Sequence, residues 1–233
     1  LGIIGPNGAG KTTLLDTVSG FNPTTSGEVR LLERAVTHLS PAGRSALGLG
    51  RVFQQAVMFP SMTVSEVLAV ARERFVRARD PLLSALRLPH VAESEEAVAG
   101  DVDALLSSSG LAPYAATRFE DLPLGIRRQV QLWAALAHEP AVLLLDEPSA
   151  GLPTEEAAEL GAFVRQLPRA NGVSIVIIEH DVPLIASISD RVVAMDRGRV
   201  IAVGDPGEVL ADAMVRSSYF GVKEEAVGSS SET

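Results

Sequence analysis

Apolar positions open the chain as a short run over residues 1–4, the length of a buried strand, and a glycine-rich turn follows over 5–13. Leu14, Leu15 and Val18 then share one face of a helix predicted over 11–19, with Gly20 as its stop. A strand is predicted over 27–32, a short helix over 41–48 with Pro41 suited to its first turn, and a strand over 50–53. The period changes after residue 62. Val64, Val67, Leu68 and Ala71 recur at helical spacing, as do Val98, Val102, Leu105 and Leu106, and 127–137 reads as a third helix. Between the first two helices, 80–96 carries Pro81 and Pro89 and reads as irregular. Short apolar strands return at 141–146, 173–179, 191–196 and 200–203, with helices between or after them. Strands alternating with helices predict an α/β fold with a mainly parallel sheet, interrupted by an inserted α-helical lobe.

This pattern divides the chain into a first part of the α/β core at 1–62, a helical lobe at 63–138, a second part of the core at 139–221, and a Gly/Ser-rich tail at 222–233 that is expected to fray. A hydrophobic fraction of 46% is ample for a core. No run approaches the roughly 18 apolar residues of a membrane span, so a soluble chain is expected, with any membrane role coming through a partner. The net charge of −9 argues against nucleic acid as a partner. With no cysteine, disulfides, thiol catalysis and cysteine-held zinc are excluded, and His38, His90, His138 and His180 show no metal-ligand spacing.

Two motifs carry chemistry. Gly5-Pro6-Asn7-Gly8-Ala9-Gly10-Lys11-Thr12, followed by Thr13, matches the phosphate-binding loop G-x-x-x-x-G-K-[ST] in full and lies between a predicted strand and a predicted helix. Its glycines let successive N–H groups face phosphate oxygens, and the helix dipole adds to them. Lys11 is expected to reach the β- and γ-phosphates of ATP and Thr12 to hold Mg²⁺. The second motif is the apolar run 141–145 ending in Asp146-Glu147-Pro148, which puts two carboxylates at the C-terminal edge of the sheet. Asp146 is expected at the Mg²⁺ and Glu147 at the attacking water.

These motifs, with Gln54 after Arg51-Val52-Phe53, the segment Leu122-Pro123-Leu124-Gly125-Ile126 and His180 in Ile178-Glu179-His180-Asp181, resemble the ABC ATPases along essentially the whole chain. The resemblance implies a P-loop NTPase fold, with a RecA-like core, and ATP hydrolysis coupled to solute transport. It implies that Gln54 meets Mg²⁺ and the water (Gln55 being the alternative), and that His180 contacts the γ-phosphate. Leu122, Pro123, Leu124 and Gly125 would stand in the signature that binds ATP held by a second cassette, in a homo- or heterodimer. Transmembrane permease subunits, and through them a solute-binding protein, are the further partners implied, at the cytoplasmic face of the membrane. Only Leu122 and Gly125 match the common signature, and Pro123 supplies neither hydroxyl nor N–H. Pro153 stands where the D-loop usually has Asp. Both departures face the partner cassette, so a dimer with two unequal sites is expected. Segments 50–66 and 190–206 resemble the ATP-binding subunits of branched-chain amino-acid uptake, with urea, amide and lipopolysaccharide systems related. A regulatory subunit that no longer hydrolyses and a non-transport ABC ATPase are the alternatives. Family members carry further strands before the P-loop strand, one with an aromatic residue that stacks on adenine. Leu1 opens on the P-loop strand, so a truncated or fused chain with weak affinity for the nucleotide base is expected.

Overall fold

Each short apolar run lies in a strand of the computed structural model, which describes residues 1–53, 60–72 and 89–220. The strands are β1 (Gly2–Ile4), β2 (Arg30–Leu31), β3 (Arg34–Ala35), β4 (Leu49–Val52), β5 (Val142–Asp146), β6 (Ser174–Ile178), β7 (Val192–Asp196) and β8 (Arg199–Gly204). Among the described residues they form a six-stranded sheet in the order β4-β5-β6-β1-β7-β8 and a separate β2-β3 hairpin. All neighbours in the larger sheet are parallel except β7 and β8. The helices are α1 (Lys11–Ser19), α2 (Pro41–Ala46), α3 (Val64–Arg72), α4 (Pro89–Ser109), α5 (Leu124–Ala137), α6 (Thr154–Asn171), α7 (Val182–Ile188), α8 (Pro206–Ala211) and α9 (Ala213–Phe220). This is the mainly parallel α/β sheet, flanked by helices, that the alternating pattern predicts.

Period two explains the layering. On β5, Leu143 and Leu145 face one apolar layer with Ile177, Val192 and Ala194, while Leu144 faces the opposite layer with Ile3, Leu15 and Met195. Both faces are covered, so the strand is apolar from Val142 to Leu145 instead of alternating. Leu143, Leu144 and Leu145 are all buried, each contributing about 1.5–3 kcal/mol of transfer free energy. The lobe has its own apolar cluster, in which Val64 and Leu68 of α3, Leu106 of α4 and Val130 of α5 meet. Helix α5 joins lobe to core: Val130 and Ala134 face the lobe, and Leu132 and Leu136 face the sheet. Trp133 packs on both and lies 5.5 Å from Phe163 of α6.

Several boundaries differ from the expectation. The strand expected over 27–32 is a hairpin of two-residue strands, turned by Leu32 and Glu33 at φ 48° and 64°. Both turn residues are left-handed, the geometry of a type I′ turn, but neither is the Asn or Gly that announces one. Residues 89–96, read as irregular, begin α4, with Pro89 at its first position, where the missing N–H costs nothing. Helix α5 starts at Leu124, not Arg127. Gln54 and the tail 222–233 lie outside the described residues.

Candidate functional site

Strand β1 ends at Ile4 and the chain turns through 5–10 into α1. A Cβ on Gly5 would lie 2.3 Å from the Met195 carbonyl oxygen, so the loop can pass β7 there only as glycine. Gly10, at φ 93°, caps α1 without a side-chain bond, which leaves the first-turn N–H groups for a ligand. The loop is tied from outside: Gly198 N–H donates to Ala9 O (2.8 Å), and Gly5 N–H donates to the Tyr219 hydroxyl of α9 (2.6 Å). Asn7, Gly8, Thr12 and Thr13 are exposed, Ala9 is buried, and Lys11 is only 6% exposed. The Lys11 ammonium donates to Gly5 O (2.7 Å) and Pro6 O (3.2 Å) within the loop. Burial pushes its pKa down, against the pull of Glu147 and Asp146.

Strand β5 delivers Asp146 and then Glu147 at its C-terminal end, where ligand sites of open α/β sheets lie. The Asp146 carboxylate is 3.5 Å from the Thr12 hydroxyl, which donates to its Oδ1. Burial pushes the Asp146 carboxyl up, and the Arg51 guanidinium beside it pulls it down. Glu147 has φ 49°, a left-handed conformation costing a non-glycine residue about 1–3 kcal/mol, held by its N–H bond to Ile178 O (3.0 Å). That turn brings Glu147 Oε1 to 2.7 Å from His180 Nε2, at the end of the neighbouring strand β6. So Lys11, Thr12, Asp146, Glu147 and His180, drawn from three strand ends, meet at one edge of the sheet. Thr12 and Asp146 offer hard oxygen donors side by side, which fits Mg²⁺. Among the described residues no group of three or more His, Cys, Asp or Glu could hold a metal by itself.

The segment expected to be the signature lies elsewhere. Leu122 is buried in the lobe's apolar cluster, and Pro123 is the N-cap of α5. Leu124, Gly125 and Ile126 are therefore its first turn, with backbone donors that the helix itself does not use. Pro153 occupies the same position on α6. Both prolines thus sit where a helix needs no N–H, and neither supplies a capping side chain. A Cβ on Gly125 would fall 2.5 Å from Glu156 Oε2, and one on Gly151 would fall 3.4 Å from a Leu124 methyl, so the start of α5 abuts the loop that leads into α6.

Three residues missed by sequence reading hold this arrangement. Arg51 bonds to Asp146 Oδ2 (3.3 Å), Tyr219 accepts from Gly5, and Glu179 accepts the Ser149 N–H of the D-loop (2.7 Å). An Arg in an apolar strand and an acid ending one were the available signals; Tyr219 had none. Glu179 is 3% exposed, and burial raises its pKa above the ordinary value of 4.5, with Ser149 opposing. The native state therefore holds this proton where the unfolded chain releases it. The stability so gained is complete below about pH 4.5 and lost as pH climbs through the raised value. Glu179→Gln keeps an acceptor for Ser149 and removes the charge. Its melting midpoint should exceed that of the unsubstituted chain at pH 8, with the gap closing toward pH 4. A gap independent of pH would count against this cause.

A model of the ABC transporter family matches residues 1–150. The high-affinity branched-chain amino acid transport ATP-binding protein LivG of Salmonella typhimurium is 33% identical over 94% of this chain and 86% of that protein. The lipopolysaccharide export system ATP-binding protein LptB of Acidithiobacillus ferridurans is 34% identical over 95% of this chain and 85% of that protein. The crystal structure of the ADP conformation of MJ1267, an ATP-binding cassette of an ABC transporter, superposes with a TM-score of 0.77 at 28% identity, covering 95% of this chain and 87% of that one.

Proposed function

Because the chain belongs to the ABC transporter family, as one of its ATP-hydrolysing cassettes, we propose that it powers uptake of branched-chain amino acids. It does so paired with a second cassette and docked on permease subunits at the cytoplasmic face of the membrane, with a solute-binding protein delivering the substrate. Among the described residues no helix is long and apolar enough to cross a membrane. Support for the substrate class comes from the similarity to LivG, which runs through nearly all of this chain.

The observation that carries the site is the meeting of Lys11, Thr12, Asp146, Glu147 and His180 at one sheet edge. The first-turn N–H groups of α1 receive the phosphates. Lys11 leaves the Gly5 and Pro6 carbonyls for the β- and γ-phosphate oxygens, exchanging neutral acceptors for charged ones. Thr12 and Asp146 hold Mg²⁺, with Gln54; the ion, when bound, neutralises charge growing on the phosphates. Glu147 orients the attacking water and takes its proton, and His180 keeps the carboxylate aimed across 2.7 Å. Closure on a partner brings the partner's signature to this γ-phosphate. This chain's own signature serves the partner's site through the backbone donors of Leu124, Gly125 and Ile126 alone, so the two sites turn over unequally when the partner is a different cassette with an intact signature.

Lipopolysaccharide export is the second reading, favoured by the comparable identity to LptB. Reconstitution with a branched-chain permease pair and its binding protein separates them. Leucine-stimulated ATP hydrolysis is expected. Intact hydrolysis indifferent to leucine, isoleucine and valine would remove this substrate class and leave the ATPase standing.

A further inference from the structure

Arg51 lies on β4, the edge strand that pairs with β5 among the described residues, with its guanidinium turned to the phosphate-loop side of the sheet. The side chain is 6% exposed. Nη1 donates to Asp16 Oδ1 (2.7 Å) and to Ser19 Oγ (2.7 Å), both on α1. Nη2 donates to Asp146 Oδ2 (3.3 Å) on β5. The ring of Phe53 lies 4.5 Å from the guanidinium carbon. Nε has no hydrogen-bond partner among the described residues, so the two carboxylates, not saturation of its own donors, set the position of the fork. One buried cation therefore ties together the helix that starts at Lys11, the strand that ends at Asp146, and the strand that runs on toward Gln54. By engaging Oδ2 it leaves Oδ1 facing the Thr12 hydroxyl at 3.5 Å.

We propose that Arg51 is a positioning residue for the metal edge of the site, holding Asp146 so that Oδ1 faces Thr12 and thereby setting the Mg²⁺ dependence of nucleotide binding. This rests on the assignment of MgATP to the site. Groups that orient metal-binding side chains in this way typically change metal affinity by about 10–100-fold when replaced. Two effects of removing Arg51 oppose each other. Loss of a positive charge beside Asp146 attracts a cation more strongly, whereas loss of the fork frees the carboxylate to rotate. Arg51→Lys keeps the charge and loses the bridge from Asp16 to Asp146; Arg51→Gln loses both.

The test is a Mg²⁺ titration of fluorescent mant-ATP binding to the full chain and to both variants, beside binding in EDTA. Binding without metal reports the phosphate loop alone and shows whether each variant is folded. Positioning requires the half-saturating Mg²⁺ concentration to rise about tenfold in both variants with metal-free affinity unchanged. An unchanged titration, or a lower half-saturation in Arg51→Gln, overturns the role and leaves the nucleotide site intact. So does a loss of metal-free binding equal to the loss with Mg²⁺, which marks a merely structural residue. Binding indifferent to Mg²⁺ in the unsubstituted chain overturns the MgATP assignment itself, and the role with it.

Discussion

Glu147→Gln should lower MgATP turnover by at least about 100-fold while leaving MgATP binding in place, because a general base contributes on the order of 10²–10⁴ in rate. The amide has nearly the shape of the carboxylate, so the strained turn at φ 49° and its bond to Ile178 O can persist. It can also still accept a hydrogen bond at the place where Oε1 meets His180 Nε2 at 2.7 Å. What it cannot do is take a proton from water. Steady-state phosphate release beside equilibrium binding of labelled MgATP checks both halves of the expectation. Turnover within tenfold of the unsubstituted chain would move the base to another residue. His180 is the nearest candidate, its side chain 47% exposed against 15% for Glu147.

Lys11→Ala should abolish binding and turnover together. Lys11 is buried to 6% exposure, and its two hydrogen bonds go to neutral carbonyls of the loop it serves. Burial of an ammonium with only carbonyl partners is unfavourable, and the lowered pKa is its sign. Phosphate oxygens relieve that burial. Charge-assisted bonds are worth about 1.5–3 kcal/mol each, so losing two should cost at least about 100-fold in nucleotide affinity. The variant's melting midpoint without nucleotide separates lost binding from lost fold. A folded Lys11→Ala chain that binds MgATP within threefold of normal would place the phosphates elsewhere. The two variants thus dissociate: one removes a chemical step after binding, the other the binding that precedes it.

The strand-loop-helix arrangement around the phosphate loop, the apolar run of β5 and the helical lobe could be read directly from residue order. Periodicity and glycine placement are local properties, and a loop that wraps phosphate with its own backbone needs no distant residue to be recognised. Where sequence reading misplaced an element, a local rule had competed with packing. Pro89, within the stretch 80–96 that reads as irregular, starts α4, since a proline is compatible with a first turn. The helix expected over 127–137 begins three residues earlier, at Leu124, where Gly125 lies against Glu156 of α6. The tight turn at Leu32 and Glu33 carries no turn signature at all.

The identity of the phosphate loop, the acidic strand end and the family were thus determined by residues adjacent in sequence, whose chemistry is expressed within a few peptide units. The contacts that aim these groups were not. Arg51 reaches Asp146 across 95 positions, Gly5 reaches Tyr219 across 214, and Ser149 reaches Glu179 across 30. Each is a single polar bond between elements brought together by burial of their apolar faces. Apolar patterning states that a strand will be buried but not which strand lies beside it. The strand order β4-β5-β6-β1-β7-β8 decides which side chains become neighbours, and it is set by packing of the whole sheet.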